Sequence, residues 1–337
     1  MIGRLNRVSK RLLRNLPFVA CCVITACASA PRHVPRPHGD EAALVPPSLR
    51  FTASDGACIP VRVWPSHGRP RAVILALHGF GDSRDAWEWP APILAGADLA
   101  VYAPDQRGFG EAPQRGWWSS TDRMIADARE EAAWLHHMWP DLPLYIMGES
   151  MGGAVALRLD ETPNPTPVAG TILVSPAIWR LDPASRAFLA ALDFLAPAWT
   201  LDGSALPVHV VPSDNPAALR RLYFDPLTLH ASKLHAVRGL VDLMATARRE
   251  ASQARTPLLV LYGDDDQLVP SGPMDSFWRA LPADARLDMI PAGHHLLLRD
   301  RHGGRATQDI VSWILRPERW LPSGGDIAAS AWMASSH

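Results

Sequence analysis

The stretch Tyr145–Gly153, YIMGESMGG, constrains this chain more than any other. An apolar run from Leu142 to Met147 leads straight into Gly-Glu-Ser-Met-Gly-Gly, and Met151 to Glu161 then has helix-forming composition. A strand, a tight turn and a helix in that order leave no room for side chains beside the serine, which accounts for the glycines at 148 and 152. In such a turn G-x-S-x-G holds its serine in a strained backbone with the hydroxyl exposed above a sheet. The helix N-terminus directly behind offers N–H groups and a dipole that favours negative charge. Ser150 is therefore the candidate nucleophile. The five-residue pattern also arises by chance in glycine-rich turns, and the strand-turn-helix context is what argues for chemistry.

The remainder of the chain supplies a sheet for that turn. Arg71–Leu77 (RAVILAL), Leu99–Ala103, Val168–Val174, Pro257–Tyr262 and Arg286–Ile290 are short apolar runs of buried-strand type. Ser120–Trp139 has helical spacing, with Met124, Ala128, Ala132 and Leu135 on one face. Leu49–Trp64 has the pattern of a hairpin turning at Ser54-Asp55-Gly56. Strands alternating with helices predict an α/β domain with a mostly parallel sheet covered on both faces. Between about Trp179 and Gln253 the alternation stops and no clear strand is visible, which predicts an inserted helical cap.

A serine needs a base, and the base needs an orienting acid. In a turn of this kind they come in the order serine, acid, histidine. The acid is expected after a strand, where Gly263-Asp264-Asp265-Asp266 succeeds Leu258–Tyr262. The base is expected after the last strand, where Gly293-His294-His295 offers two candidates. The oxyanion hole needs two N–H donors. They are assigned to the backbone of Met151 and of Phe80, the latter in the loop His78-Gly79-Phe80-Gly81-Asp82. A dinucleotide reading of that loop fails for want of a third glycine, and His78, placed before the loop, is expected to be structural. His136-His137 lack H-E-x-x-H, and Asp264–Asp266 lack calcium-loop spacing, so neither a metal nor a cofactor is expected.

These segments together carry a resemblance. LHGFGDSRDAW, YAPDQRGFGEAPQRGWW, GESMGGAVAL, LYGDDDQLVP and PAGHHLLLRD are similar to α/β-hydrolases of the branch that includes monoacylglycerol lipases and bacterial lysophospholipases. The resemblance spans roughly residues 49–315 and implies the α/β-hydrolase fold. It implies Asp266 as the acid, the fourth position counted from the strand's glycine, Gly263, as is usual there. The family's Gly-aromatic-His register implies His295 as the base and leaves His294 in the aromatic's place. It assigns Asp105 no catalytic part. The implied activity is hydrolysis of monoacyl lipid esters through an acyl-enzyme. Phe80, Trp87, Trp117 and Trp118 are candidate acyl-pocket residues, as are apolar residues of the cap such as Phe188, Leu192, Phe194, Trp199 and Leu222. Peptide or amide hydrolysis, or acyl transfer, by the same machinery stays open, as does a non-catalytic lipid-binding lipoprotein. Dehalogenase or epoxide-hydrolase chemistry is disfavoured, since the elbow residue there is Asp.

The first 26 residues carry five of the basic side chains and no acid, so the rest of the chain is acidic by about six charges, and no nucleic-acid surface is expected. Basic residues followed by PFVACCVITA and then Cys27 resemble a lipoprotein signal (1–26) whose cysteine is lipidated. A secretory cut after Ala30 is the alternative, with Pro31 beyond it unfavourable. The expected organisation is a Pro-rich tether over 27–47, the hydrolase domain over 48–320 with its cap at about 179–253, and a tail over 321–337. The expected location is the bacterial envelope, the chain lipid-anchored at the outer membrane and facing the periplasm. Without Cys21 and Cys22, lost with the signal, Cys58 stands alone and forms no internal disulfide.

Overall fold

The computed structural model describes residues 36–161, 166–202 and 210–335, so the signal segment and Cys27 lie outside the described residues. The strands are Leu49–Thr52 (β1), Cys58–Trp64 (β2), Ala72–Leu77 (β3), Leu99–Pro104 (β4), Leu144–Glu149 (β5), Gly170–Val174 (β6), Thr200–Asp202 (β7), Ala231–Lys233 (β8), Leu258–Gly263 (β9) and Arg286–Ile290 (β10). Eight of them form one sheet in the order β1-β2-β4-β3-β5-β6-β9-β10. β1–β2 and β2–β4 are antiparallel and every other pairing is parallel. β3, β4, β6 and β9 are buried at every position, which is why their sequences are continuous apolar runs rather than alternating ones.

The helices are Ala91–Gly96 (α1), Thr121–Met138 (α2), Met151–Glu161 (α3), Pro183–Leu195 (α4), Pro216–Phe224 (α5), Leu234–Glu250 (α6), Ser271–Trp278 (α7), Gly303–Leu315 (α8) and Gly325–Ser335 (α9). Val73, Leu75 and Leu77 of β3 pack with α2 and α3 on one face, while Ala72, Ile74 and Ala76 pack with α1 and α8 on the other. α2 starts where Ser120 accepts the Arg123 N–H at 3.0 Å. Asp182-Pro183 and Asn215-Pro216 start the cap helices α4 and α5, each with the acidic or amide side chain as cap and proline at the first position. Among the described residues no helix is long and apolar enough to cross a membrane.

Three details differ from the sequence reading. The cap holds a two-stranded ribbon, β7 against β8, whose three-residue strands are too short to show periodicity. The tail contains α9, which packs on the core through Ala329 and through Trp332, edge-on to Trp278 with ring centroids 5.1 Å apart. Its mixed Ala-Ser composition gives little amphipathic signal, so its docking is a tertiary effect. The end of the tether is strapped down as well. Glu41 pairs with Arg220 of α5 at 2.6 Å, and its carbonyl accepts from Arg221.

Candidate active site

Ser150 sits between β5 and α3 at φ 52°, a left-handed conformation that costs a non-glycine residue about 1–2 kcal/mol. The turn is fastened on both sides. Ser150 donates its N–H to the Val174 carbonyl at 2.9 Å, and its own carbonyl accepts from Ala177 at 2.9 Å. The flanking glycines are steric necessities. A Cβ on Gly148 would come within 2.5 Å of Gly153 N, and one on Gly152 within 2.7 Å of the His78 carbonyl oxygen. Met151 opens α3, so its N–H has no carbonyl behind it within the helix.

The loops after β9 and β10 come together at a second pair of glycines. A Cβ on Gly263 would fall 2.8 Å from Gly293 Cα and closer still to its carbonyl. Asp265 donates its N–H to Gly293 and Ala292 donates to Asp264 Oδ1 at 2.5 Å, stitching the loops. This approach brings His295 Nδ1 to 2.9 Å from Asp266 Oδ2, with both side chains buried. Asp266 Oδ1 accepts from the N–H groups of Leu268 and Val269, which fixes the carboxylate's orientation. The ionised carboxylate only accepts, so Nδ1 carries the proton and Nε2 is the nitrogen able to take another. Burial pulls the imidazole pKa down, but the charge and hydrogen bond of Asp266, with Glu149 adding to them, more than offset this and leave it raised.

His294 points elsewhere. Its Nδ1 lies 3.3 Å from Asp300 and its Nε2 3.6 Å from Asp265. Asp214, His294 and Asp300 are close enough to hold a cation by donor type, but their oxygens are already in use. Asp300 accepts the N–H groups of His294 and Asp214, and Asp214 accepts that of Arg301.

The loop after β3 is held from behind by His78, which is fully buried. Its Nδ1 donates to the Gly79 carbonyl at 2.8 Å and its Nε2 accepts from Gln106 N–H at 2.9 Å. Burial depresses its pKa, so it stays neutral and serves as a brace. Asp105 makes a buried pair with Arg84 at 2.5 Å and has no contact with the nucleophile turn among its hydrogen bonds. Phe80 packs edge-on against Phe109 and faces a cavity of about 60 Å³, partly open to solvent. Gly79, Phe80, Ser150 and His295 share that cavity. Its apolar wall comes from Trp179, Leu222 of α5, and Leu240 and Met244, one turn apart on α6.

This wall departs from the sequence reading. Of the candidate acyl-pocket residues only Phe80 and Leu222 line the cavity. Trp87 is buried in the opposite face of the core, and Trp118 packs on Gly239. Phe194 and Leu195 are 85% and 77% exposed, and Phe188 and Trp199 are about half exposed, so much of α4's apolar surface faces outward. Three charged residues of the cavity had no role assigned from sequence: Asp82, Glu149 and Arg299. Arg299 Nη1 lies 2.7 Å from Asp82 and its Nη2 2.5 Å from Glu149. Glu149 occupies a free position of G-x-S-x-G, so the motif gives no cue to it.

Residues 68–302, more than half of the chain, match the family described as serine aminopeptidase, S33. The chain belongs to the S33 serine aminopeptidase family. Among the relatives of this S33 protein are enzymes named for lipid esters. Mouse monoglyceride lipase is 30% identical over 303 residues, covering 85% of this chain and 95% of that one. The monoacylglycerol lipase of Mycolicibacterium smegmatis is 27% identical, covering 79% and 95% respectively. The S33 chain also superposes on a soluble variant of the Saccharomyces cerevisiae monoglyceride lipase, solved with a substrate analogue, at a TM-score of 0.70. That match covers 84% of this chain and 99% of the other at 19% identity, so it speaks to the fold, which is that of an α/β-hydrolase.

Proposed function

We propose that this chain is a serine ester hydrolase of monoacyl lipids, such as monoacylglycerols or lysophospholipids. One observation carries the reading: a strained Ser150 shares a cavity with His295, itself bonded to Asp266, and apolar side chains including Trp179, Leu222, Leu240 and Met244 line that cavity. Ser150 attacks the ester carbonyl and His295 Nε2 takes its proton. The oxyanion is held by the N–H groups of Met151 and Phe80. His295 then protonates the departing alcohol, and water, activated by the same imidazole, releases the acid. Asp266 keeps the imidazole in the useful tautomer and stabilises its charged form. No cofactor enters these steps.

The family description favours a second reading, cleavage of aminoacyl amides. That chemistry needs a carboxylate for the substrate's ammonium group. The carboxylates lining the cavity, Asp82 and Glu149, are both engaged by Arg299. The ester reading therefore has the better support. A homologous series of glycerol or p-nitrophenyl monoesters tests it. Each buried methylene is worth ~0.8 kcal/mol, so kcat/KM should rise by about fourfold per carbon until the cavity is filled. A flat series, or turnover confined to aminoacyl amides, would sink it. A non-catalytic lipid-binding role is excluded when a fluorophosphonate labels the wild-type protein at Ser150.

For location, the reading is a lipid anchor at Cys27 that places the domain at the periplasmic side of the outer membrane, beside its substrates. The support is the sequence pattern ending in Ile24-Thr25-Ala26-Cys27. Cys27→Ser should release the protein from the membrane fraction. An unmodified N-terminus at Pro31, read by mass spectrometry, would replace the anchor with a cleaved secretory signal.

A further inference from the structure

The guanidinium of Arg299 joins three loops. It meets Glu149, the residue directly before the nucleophile, and Asp82, two residues beyond Phe80, and it stands four residues after His295 on the base loop. All three side chains are buried, with relative exposures of 2% for Glu149, 6% for Asp82 and 4% for Arg299. Asp82 also accepts the N–H of Ser83 at 2.8 Å, which fixes the start of the turn beyond the oxyanion loop. A buried pair of acids on one base is costly to assemble, and a planar fork of donors is the side chain that serves two carboxylates at once.

We propose that Arg299, held between Glu149 and Asp82, is a positioning residue that keeps the nucleophile turn, the oxyanion loop and the base loop in one register, with Glu149 as a second carboxylate behind His295. The inference rests on the hydrolase reading above and adds to it residues whose charged atoms are bonded to one another at the cavity wall. Asp266 bonds His295 Nδ1, and Glu149 and Arg299 line the same cavity as the imidazole and act on its charge. The charged groups that act on Glu149 are Arg299, Asp82 and His295. Glu149 favours the imidazolium and Arg299 opposes it. The two functions of the unit, charge and geometry, therefore separate by substitution. Glu149→Gln keeps an acceptor for Arg299 and removes one negative charge. Arg299→Lys keeps the positive charge, but its single ammonium cannot fork to two carboxylates.

The test tracks the His295 imidazole by NMR titration in a Ser150→Ala background, so that it does not depend on turnover. Alongside it, kcat and kcat/KM of the Ser150 forms are measured against pH with a soluble monoester. Glu149→Gln should lower the His295 titration by roughly half a unit or more, with the acid limb of kcat/KM moving by the same amount. Arg299→Lys should leave the titration near its wild-type position and lower kcat at least about tenfold through lost register. An unmoved His295 titration in Glu149→Gln, or an unchanged kcat in Arg299→Lys, overturns the proposal. Where Arg299→Lys fails to give a cooperative melt, Asp82→Asn replaces it with the same expected loss of kcat. A wild-type protein that hydrolyses no ester and takes no fluorophosphonate defeats the hydrolase reading instead, and the NMR titration still reports on Glu149.

Discussion

Adding one methyl group at Gly263 should disable the site without touching any residue that does chemistry. The Cβ of Gly263→Ala would lie 2.8 Å from Gly293 Cα and nearer still to its carbonyl carbon and oxygen. These are backbone atoms and cannot rotate aside. Carbon atoms rest about 3.5–4.0 Å apart, so the ends of β9 and β10 must separate by roughly 1 Å. Asp266 lies three residues beyond Gly263 and His295 two beyond Gly293. Their 2.9 Å contact would stretch to about 4 Å, outside hydrogen-bond range. A misplacement of ~1 Å costs about 10²-fold in rate, and loss of the correct imidazole tautomer up to ~10⁴-fold. kcat should therefore fall by about two to four orders of magnitude. The overpacking itself should cost ~1–3 kcal/mol. The assay is monoester hydrolysis with active-site titration, paired with thermal melts. Gly272→Ala in α7 is the control, since a Cβ there meets nothing within 4 Å. It should keep full activity and gain up to ~1 kcal/mol from lower unfolded-chain entropy. An unchanged kcat in Gly263→Ala would refute the claim that these two glycines set the acid–base contact.

Ser150→Ala should abolish ester hydrolysis and leave the melting temperature nearly unchanged, because the strained φ persists with either side chain; residual wild-type turnover in pure protein would remove the mechanism. His295→Ala should cost orders of magnitude in kcat/KM and His294→Ala little, since His294 contacts Asp300 and Asp265 rather than Asp266; the reverse pattern would move the base to His294. The raised His295 pKa puts the acid limb of kcat/KM above the ordinary imidazole value near 6.5, because the base works only when neutral; a limb below that value would contradict the geometry. Asp288 on β10 is fully buried with no donor at either oxygen among the described residues, and burial, then Asp309 and Asp326, hold its pKa well above the carboxylate range. A raised folded-state pKa gives stability that is present below about pH 4 and lost as pH rises through the folded value. Asp288→Asn should therefore raise the melting temperature at pH 8 by about 2 °C or more, with the gain shrinking toward acid; an equal loss at both ends would contradict this.

Much of the molecule is settled by local rules that the chain states openly. Gly148 and Gly152 are required within a few residues of Ser150, and backbone sterics alone place a strand before that turn and a helix after it. The continuous apolar runs of β3, β4, β6 and β9 announce a sheet buried on both faces, and Ser120, Asp182 and Asn215 announce helix starts. The choices that the residues alone leave open depend on pairs that are distant in the chain. Asp264, Asp265 and Asp266 are chemically alike, as are His294 and His295. The family register points to Asp266 and His295, and the tertiary approach of Gly263 to Gly293 brings that pair to 2.9 Å across 29 residues. Arg299 meets Glu149 across 150 residues, so no motif or period carries that contact. The cavity wall escapes sequence reasoning for the same reason. An apolar residue in a cap helix can face the core, the substrate or the solvent, and Leu222 lines the cavity while Phe194 faces outward because of how the cap helices pack. Backbone strain and burial are written residue by residue; the direction in which a buried charge or an apolar face points is decided only when the elements pack.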